Sequence, residues 1–368
     1  MSDAEAMVLT APRRFERRRW PIPAIGDGDG VLRVEACGLC GTDHEQYTGH
    51  LAADHAFIPG HEVIGVLEAV GPQAEDRWGV KAGQRVAVEV FQSCRECAAC
   101  KAGLYRRCAR NGMRTMVGFM DAAPSPHLRG GYATHLYLGP DAMLLPVPQG
   151  MDPVLASLFN PLGAGIRWGA EVPETKPGDV VAVLGPGIRG LCVAAAAKTA
   201  GAAFVMVTGL GARDAARLAL AKAFGADLAV DVGQQDPVKA LRAATGGLAN
   251  VVVDVTAKAP AAFAQAIALA RPGGTVVVAG TRGQPGAPGF NPDHIVFKEL
   301  KVLGALGVDI GPYRKALDML AENRFPFAEL PRQVAGFDDV EGLLKVMAGE
   351  ADGEPPVHGV FAPDHGGG

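Results

Sequence analysis

Four cysteines in one short stretch of this 368-residue chain have the spacing of a metal site. Cys94, Cys97, Cys100 and Cys108 follow the pattern C-x2-C-x2-C-x7-C. Four thiolates this close together can surround one Zn²⁺ tetrahedrally in a closed structural site. A bacterial ferredoxin shares the first two spacings, but its fourth cysteine comes sooner and precedes a proline, so the pattern favours zinc over an iron–sulfur cluster. We therefore predict a structural zinc loop at about residues 93–109.

A second set of metal-binding residue types is spread over about twenty positions near the start of the chain. Cys40 ends an apolar stretch that we predict to be a strand, and His61 and Glu62 begin the next one. A thiolate, an imidazole and a carboxylate together make an incomplete zinc shell, which leaves a coordination position open for a substrate. The sequence therefore predicts a second, catalytic zinc.

A glycine-rich turn later in the chain matches the fingerprint G-x-G-x-x-G. Gly185, Gly187 and Gly190 lie between the apolar segment VVAVL and a helix of small residues, which is the context that a dinucleotide site requires. The first glycine allows the tight turn, the second lets a pyrophosphate approach the backbone, and the third lets the helix pack closely. The helix N-terminus then offers N–H groups to the anion. We also place Ile188, Arg189 and Thr256 in this cofactor site.

The preferred nicotinamide cofactor depends on the end of the next predicted strand. Thr208 and Gly209 stand where an acidic residue usually binds the adenine ribose. Asp214 reaches that ribose only from a slightly longer loop, which would favour NAD, and its alternative role is to cap the helix that follows. Arg213 or Arg217 would instead meet the 2′-phosphate of NADP. We predict NAD, with NADP as the alternative.

Two different sequence patterns along the chain predict the strands and helices that hold these residues. Up to about residue 161, short β-rich segments alternate with Gly and Pro, which is typical of a mostly antiparallel domain. From about residue 177 the pattern is strand, glycine turn and helix, with unbroken apolar strands, which is typical of a doubly wound α/β domain with a parallel sheet. A helix near 313–322 and a strand near 357–361 are predicted to pack back on the first domain. The β-rich segments are 31–36, 63–70, 86–90 and 133–138, and residues 283–289 are predicted to form a loop.

Composition restricts the classes of function. Hydrophobic residues make up 48% of the chain, charged residues 20%, and the net charge is −4, which excludes a mainly disordered protein. This charge balance gives no basis for binding nucleic acid or a membrane, so we expect a small-molecule substrate. The N-terminus lacks the order of a signal peptide, and the apolar runs are too short to cross a bilayer. Seven cysteines, an odd number, indicate a reducing compartment, so we expect a cytoplasmic protein.

Several motifs occur together in an order that resembles the zinc-containing medium-chain alcohol dehydrogenase family. They are CGLCGTDH, PGHEVIGVLEAVGP, KAGQRVAV, the four-cysteine loop, GGYATHLYL and LGPGIRG, and they cover nearly the whole chain. The resemblance implies a mainly β GroES-like catalytic domain at residues 1–162 and 303–368, with a Rossmann-type domain at 163–302 between its parts. It also implies a homodimer or homotetramer, formed by pairing of the last α/β strand near residues 301–306.

The resemblance also implies roles for individual residues. Cys40 and His61 are similar to the protein ligands of the catalytic zinc, and Glu62 resembles the carboxylate that exchanges on and off that metal. Thr42 resembles the hydroxyl that passes the substrate's proton outward. Asp43 resembles the carboxylate that orients the ligating histidine, as metal-bound imidazoles generally require.

Two positions differ from the family pattern. Asn160 stands where the family usually has a third zinc ligand, and a neutral amide is a poor ligand for zinc. The metal would then rely on Glu62 and water, bind more weakly, or lie differently. Glu45 stands where some members have a proton-relay histidine, so His44 or His50 would have to replace it, unless both are only surface loop residues.

Together these features predict an enzyme that transfers a hydride between an alcohol and NAD(P). The candidate pocket residues are mostly apolar, which favours a fairly hydrophobic secondary alcohol over a polyol; they are Thr42, Phe57, Val90, Phe91 and Phe159. One alternative is a zinc-poor, NADPH-dependent quinone or enoyl reductase of the same superfamily. Another is a zinc- and nucleotide-binding protein without turnover. About two zinc ions per subunit would favour the dehydrogenase, and about one would favour either alternative.

Overall fold

The computed structural model describes residues 3–51, 53–257, 259–281, 286–287 and 289–365, so most of the predicted loop at 283–289 lies outside the described residues. The chain divides into two compact units. The first unit contains Met1–Phe159, Leu317–Glu322 and Phe327–Gly368, and the second contains Asn160–Ala316 and Asn323–Pro326. The first unit is therefore built from separate parts of the chain, with the second unit inserted between them.

Strands and helices alternate along most of the chain. The strands are β1 Asp3–Ala11, β2 Arg14–Pro21, β3 Gly30–Leu39, β4 Glu62–Val70, β5 Arg85–Val88, β6 His135–Leu138, β7 Leu144–Pro146, β8 Val180–Leu184, β9 Phe204–Gly209, β10 Leu228–Asp231, β11 Ala249–Asp254, β12 Ala270–Val278, β13 Lys301–Gly304, β14 Arg332–Ala335 and β15 His358–Phe361. The helices are α1 Gly41–Thr48, α2 Pro72–Trp78, α3 Ala98–Lys101, α4 Pro153–Ala156, α5 Phe159–Ile166, α6 Ile188–Thr199, α7 Gly211–Ala221, α8 Pro237–Thr245, α9 Ala261–Leu269, α10 Asp293–Phe297, α11 Ile310–Ala321 and α12 Val340–Ala348. In the part of the chain that the structure describes, no helix has the length and apolar character needed to span a membrane.

The first unit is organised around a seven-stranded sheet. Its strand order is β14-β15-β3-β4-β5-β7, and β6 pairs with β3. The pairs are antiparallel except for β14 and β15, so the predicted mostly antiparallel β domain is confirmed. The strands predicted from the β-rich segments correspond to β3, β4, β5 and β6. The hairpin of β1 and β2 was not predicted, because its second strand, RFERRRWP, is mostly charged.

The second unit is a doubly wound α/β domain, as predicted. Its six strands are all parallel, in the order β10-β9-β8-β11-β12-β13. Most residues of β8, β9 and β11 are buried, as expected for strands covered on both faces by helices. Leu184 pairs with Thr208 on one side and with Asp254 on the other, so the carboxyl ends of β8, β9 and β11 meet at one edge of the sheet.

The later segments of the chain agree with the sequence prediction in part, because α11 is divided between the two units after Ala316. The predicted helix at 313–322 is α11, which begins three positions earlier, at Ile310. The predicted strand at 357–361 is β15, which pairs with β3, so this segment joins the first unit as predicted. The predicted domain boundary at 302/303 falls inside β13, and the compact second unit continues to Ala316.

Candidate metal centres and nucleotide site

The first candidate metal site begins where β3 passes into α1. Cys40 is the residue before α1, with extended backbone angles of φ −130° and ψ 173°. Its N–H donates to Oδ2 of Asp43 over 2.8 Å, which is how a carboxylate three positions later caps a helix. The C-G-T-D motif therefore fixes the direction of the Cys40 thiol through the start of the helix.

Strand pairing brings His61 and Glu62 to the same place. Glu62 pairs with Gly38 across β3 and β4, two residues before Cys40. The Cys40 Sγ lies 3.3 Å from His61 Nε2, and one ligand atom from each of Cys40, His61 and Glu62 lies within 4.8 Å of the others. All three side chains are buried, with exposures of 7%, 6% and 2%. A compact thiolate, imidazole and carboxylate set fits Zn²⁺, so the predicted trio is brought together.

Asp43 lies on the other side of the His61 ring. His61 Nδ1 is 3.6 Å from Asp43 Oδ1, whereas Nε2 faces Cys40. A carboxylate at this nitrogen is the usual partner of a metal-binding imidazole, because it fixes the tautomer and the direction of the ring. Burial lowers the pKa of His61, but the charges of Cys40 and Asp43 outweigh it, so that the pKa lies well above its usual value. The electrostatics of the pocket therefore favour a cation beside these groups.

The other predicted residues of α1 face different surroundings. Thr42 is half-buried in the first turn of the helix. His44 is buried, and its Nε2 lies 3.0 Å from Oε1 of Glu350, whose carboxylate also accepts two hydrogen bonds from Arg13. Residues two positions apart on a helix point about 200° apart, so Thr42 and His44 lie on nearly opposite faces. His50 is exposed beyond the helix. The roles of these residues in proton transfer stay predictions.

The four predicted cysteines of the second metal site are also close together. One sulfur atom from each of Cys94, Cys97, Cys100 and Cys108 lies within 4.8 Å of the others. Backbone N–H groups point at the sulfurs, including that of Asn111 at Cys108 over 3.4 Å. Burial opposes ionisation of Cys108, but these N–H groups and a neighbouring thiol lower its pKa to about 6. A set of four sulfurs with one acidic thiol fits a tetrahedral zinc ion.

Side chains on both sides of the four-cysteine loop attach it to the first unit. The Tyr105 hydroxyl donates to the buried Glu89 carboxylate over 2.9 Å. Arg110 donates two hydrogen bonds to Asp141, and the Asn111 amide donates a third to the same carboxylate. These hydrogen bonds hold the loop in a fixed position, as a structural rather than a catalytic site requires.

The glycine turn of the second unit has the geometry that a pyrophosphate needs. Gly185 has φ +102°, and a Cβ on Gly190 would lie 1.8 Å from the Gly185 carbonyl oxygen, so only glycine fits there. A Cβ on Gly187 would meet nothing within 4 Å, which leaves open space above the turn. The twelve-residue helix α6 begins directly afterwards at Ile188, and the N–H groups of its first turn have no acceptor within the helix.

Thr256 and Arg189 lie beside this turn. The Thr256 N–H and hydroxyl both donate to Oδ1 of the buried Asp254, over 3.0 and 2.6 Å. The Thr256 methyl group faces Gly185 at 3.2 Å from the Cβ position of that glycine. The Arg189 guanidinium lies over the Trp168 ring at 5.3 Å. Asp254 and Trp168 were not predicted, because nothing in their local sequence distinguishes them from other buried residues.

At the end of β9, Asp214 lies beside Gly209, the position where an acidic residue usually occurs. A Cβ on Gly209 would lie 2.9 Å from Pro186 and 3.0 Å from the Asp214 Cβ, so no larger residue fits at that position. The Asp214 Oδ2 accepts the Leu210 N–H over 2.9 Å, and Oδ1 lies 3.6 Å from Arg217. The predicted N-cap role is wrong, because α7 begins at Gly211 after the N-cap residue Leu210, and Asp214 lies in the first turn of the helix. Asp214 nevertheless lies against the end of the strand. Thr208 contributes its carbonyl oxygen to Gly185 N–H over 3.0 Å, and Arg213 is exposed.

Asn160 is held by a residue that sequence reasoning missed. Its Nδ2 donates to the Tyr313 hydroxyl over 2.9 Å, and the side chain is buried in the second unit. Gly163, one turn later in α5, gives the Tyr313 ring room, because a Cβ there would lie 2.3 Å from the ring. Because Nδ2 is used as a donor, the carbonyl oxygen of the Asn160 amide is the atom that could bind a metal. Ligation of zinc by Asn160 stays a prediction.

Phe119 is a second residue that was missed. Its ring lies 5.9 Å from the His61 ring and is partly exposed. The preceding residue, Gly118, has φ +82° and its carbonyl oxygen accepts a hydrogen bond from the buried Gln46 side chain over 3.0 Å. The surrounding stretch has no strand or helix period, so nothing in the sequence points to it. Phe57, a predicted pocket residue, packs instead in the hydrophobic core of the first unit.

Known proteins share these two units. The alcohol dehydrogenase GroES-like domain family matches residues 26–149, and the zinc-binding dehydrogenase family matches residues 190–322. A Mycobacterium tuberculosis protein named probable alcohol dehydrogenase adh is 67% identical over 99% of this chain and 100% of its own. Sorbitol dehydrogenase of Bacillus subtilis is 31% identical over 86% of each chain. A crystal structure of a Sinorhizobium meliloti zinc-binding dehydrogenase bound to NADP has 27% identity and a TM-score of 0.84, covering 99% of this chain and all of its own.

These similarities agree with the sites built from the residues. The chain belongs to the zinc-containing medium-chain alcohol dehydrogenase family. It is accordingly an oxidoreductase of the zinc-binding, NAD(P)-linked class, with a GroES-like domain and a Rossmann-type domain.

Proposed function

We propose that this protein oxidises a fairly hydrophobic secondary alcohol to a ketone, with NAD as hydride acceptor, and catalyses the reverse reaction. The observation that carries the proposal is the buried set of Cys40, His61 and Glu62, whose ligand atoms lie within 4.8 Å of one another. An open set of this composition is typical of a catalytic zinc, whereas the four-cysteine set is typical of a structural one. We propose one zinc ion in each.

Each residue of the first site has its own role in the proposed mechanism. Zinc in an open site lowers the pKa of an alcohol and so favours departure of a hydride to the nicotinamide ring. Cys40 and His61 hold the ion, and Glu62 supplies a carboxylate that can join or leave. Asp43 fixes the His61 ring through Nδ1. The Thr42 hydroxyl would accept the proton that the alcohol loses and at the same time pass its own hydroxyl proton outward to solvent.

The preference for an apolar substrate rests on Phe119. An aromatic ring 5.9 Å from the His61 ring favours alkyl or ring carbons over the hydroxyl groups of a polyol. The sorbitol dehydrogenase of Bacillus subtilis shares 31% identity with the chain, so a polyol is the natural comparison substrate. We expect kcat/KM for cyclohexanol to exceed that for sorbitol, and Phe119→Ser to narrow the difference.

A cysteine variant tests the catalytic zinc directly. Cys40→Ala should remove about one of two zinc ions per subunit and abolish turnover, while the protein still folds and binds nucleotide. Cys192→Ala is the matched control, because Cys192 is a buried thiol of the second unit outside both metal sets. Metal analysis, steady-state rates and nucleotide titration measure the three properties. A Cys40→Ala protein that retained most of its kcat would contradict the proposal.

The same measurements separate the alternative functions. A zinc-poor reductase of the same superfamily would contain about one zinc per subunit and reduce quinones or enones with NADPH. A binding protein without turnover would bind nucleotide, but it would neither oxidise alcohols nor reduce quinones or enones. We further propose that the protein works in the reducing environment of the cytoplasm, which is supported by its seven free cysteines.

A further inference from the structure

The short segment that carries Phe119 is attached to the first unit by backbone hydrogen bonds on both sides. Before Phe119, the Val117 N–H donates to the Val90 carbonyl over 2.9 Å. After it, the Ala122 N–H donates to the Ala56 carbonyl, also over 2.9 Å. The residues between these two points form a turn outside the strands and helices, so the direction of the Phe119 ring depends on what holds this turn.

Two side chains from other parts of the first unit donate hydrogen bonds to the turn. The Gln46 Nε2 donates to the Gly118 carbonyl over 3.0 Å, and His55 Nε2 lies 3.0 Å from the Phe119 carbonyl oxygen. A carbonyl oxygen can only accept, so His55 is the donor in the second contact. These carbonyls belong to the two planar peptide groups on either side of the Phe119 α-carbon. Together the two donors therefore set the backbone direction at Phe119.

The burial of Gln46 indicates a specific role for its amide. The residue is only 2% exposed, and its Oε1 has no hydrogen bond among the residues that the structure describes. An unsatisfied buried polar atom costs about 1–3 kcal/mol, so an apolar side chain would be less costly if Gln46 only filled space. The hydrogen bond to Gly118 is the contact that an apolar residue could not make.

His55 is held in place on two further sides. Its Nδ1 lies 2.9 Å from Asp54 Oδ1, and its ring meets the buried Phe57 ring edge-on at a centroid distance of 6.2 Å. A ring fixed at one nitrogen and along one edge has little freedom left to turn Nε2 away. The donor to the Phe119 carbonyl is therefore preorganised.

The turn also touches the residue that precedes a proposed metal ligand. Gly118 has φ +82°, and a Cβ on it would lie 2.7 Å from the Gly60 carbonyl oxygen. Gly60 comes directly before His61, and the Phe119 ring lies 5.9 Å from the His61 ring. A different direction of the turn would therefore move the Phe119 ring relative to the proposed position of the alcohol.

We propose that Gln46 and His55 are positioning residues that determine substrate specificity, because they hold the Phe119 ring beside the first metal site. This inference rests on the proposed preference for an apolar alcohol. Removal of either hydrogen bond lets the turn adopt other directions. The resulting loss should fall on alcohols that pack against the ring, rather than equally on all substrates.

The test compares kcat/KM for cyclohexanol with kcat/KM for sorbitol in variants of the holoenzyme. Gln46→Met and His55→Phe remove the donors at similar side-chain size, and each should lower the ratio of the two values about 10-fold without changing the zinc content. His55→Gln keeps a donor and should retain most of the ratio. His135→Phe is the control, because His135 contacts Thr134 and Glu68 instead of this turn.

Double variants make each result decisive. In a Phe119→Ser background, which should itself lower the ratio, Gln46→Met and His55→Phe should have little further effect, because both act through that ring. If Phe119→Ser lowers the ratio, three results would overturn this inference and leave the proposed function intact: unchanged ratios in the single variants, equal losses for both alcohols, or fully additive double variants. A Phe119→Ser protein with an unchanged ratio would contradict the proposed apolar preference and overturn both.

Discussion

The position of the Glu62 carboxylate depends on a neighbour that has no side chain. Gly38 pairs with Glu62 across β3 and β4, and a Cβ on Gly38 would lie 2.3 Å from Glu62 Oε2 and 3.2 Å from Glu62 Cβ. Neighbouring residues of an antiparallel pair share one face of the sheet, so the carboxylate extends into the space that the glycine leaves. The proposed metal ligand Glu62 is therefore positioned by the missing side chain of Gly38, two residues before Cys40.

Gly38→Ala should consequently act on the metal rather than on the fold alone. The added methyl group displaces Glu62, and we expect a kcat at least about 10-fold lower, with about 1–3 kcal/mol lost from the free energy of unfolding through overpacking. Gly342→Ala is the control, because a Cβ at that helical position of the first unit would meet nothing within 4 Å. Zinc content, kcat and urea unfolding measure the difference. Unchanged kcat and zinc in Gly38→Ala would show that Glu62 has room to move.

At the scale of elements, strand β15 carries a histidine that stays neutral inside the first unit. His358 is buried, and its Nε2 lies 3.2 Å from Ser157 Oγ, which itself donates to the Val154 carbonyl, so the histidine is the donor. Burial and the nearby positive charge of Arg332 lower the pKa of His358 to about 3. In the unfolded chain His358 binds a proton near pH 6.5, whereas in the folded protein it stays unprotonated at that pH.

The stability of the first unit should therefore decrease in mild acid. Below about pH 6.5 and down to about pH 3, His358 should reduce the free energy of unfolding by up to about 1.4 kcal/mol per pH unit. His358→Gln, which keeps a donor near Nε2, should reduce this dependence. Urea unfolding of both proteins at pH 7.5 and pH 5.5 gives the comparison. An identical change with pH in the two proteins would assign the acid sensitivity to other groups.

We predict that the first turns of α7, directly after β9, set cofactor choice. The Asp214 side chain lies against Gly209, and its carboxylate is paired with Arg217, which reduces the positive charge available to a 2′-phosphate. We therefore expect kcat/KM for NAD to exceed that for NADP. Asp214→Asn should reverse this order or bring the two values close, by freeing Arg217. Arg213→Ala, which changes an exposed side chain, is the control; a loss confined to NADP would favour Arg213 as a phosphate ligand.

The elements were largely predictable from the sequence, because their signals are local. Unbroken apolar runs gave the parallel strands, and the spacing of Gly185, Gly187 and Gly190 gave the turn. The hairpin of β1 and β2 escaped prediction because its second strand is mostly charged. The arginines of that strand pair largely with Glu5 and Glu16 of the same hairpin, which a hydrophobic pattern does not reveal. Strand bounds were accurate to within about two residues at most ends.

The candidate metal ligands could be predicted from the sequence, but the residues that surround them could not. Cys40, His61 and Glu62 are metal-binding types at recognisable positions, so their meeting could be expected. Phe119 reaches the same place only through loop geometry, which no single-sequence pattern encodes. Tyr313, which holds Asn160, comes from a helix about 150 positions later in the chain. Such partners need three-dimensional contacts to be found.

At the scale of the whole molecule, we predict that the edge of the parallel sheet forms the contact with a second copy of the chain. Strand β13 is the last in its sheet, so one of its sides has no strand partner in the described part of the chain. Nearby apolar side chains are unusually exposed: Val296 70%, Phe297 79%, Val302 37% and Leu306 58%. Unpaired edges next to exposed apolar residues favour association, and a twofold axis lets one edge pair with its own copy.

We therefore expect a homodimer that an edge substitution dissociates. Phe297→Glu should shift the protein toward the monomer, because it places a charge in the apolar patch, and light scattering after size-exclusion chromatography measures the mass. Met113→Glu is the control, since Met113 is also exposed but belongs to the first unit. A Phe297→Glu protein with unchanged mass would exclude this edge as the contact. A tetramer that falls to dimers would mean that a second surface also takes part.

The order of segments along the chain has a consequence for synthesis. Strand β3 carries Cys40 at its end, and its neighbour β15 comes from beyond the whole inserted unit, more than 300 positions later. Domains fold as units while the ribosome adds about 5–20 residues per second. The nucleotide-binding unit can thus be complete while the sheet that carries the metal ligands still lacks β14 and β15. The nascent chain would then bind its cofactor before it could hold the proposed catalytic zinc firmly, whereas the four-cysteine loop, complete at Cys108, could take up its zinc much earlier.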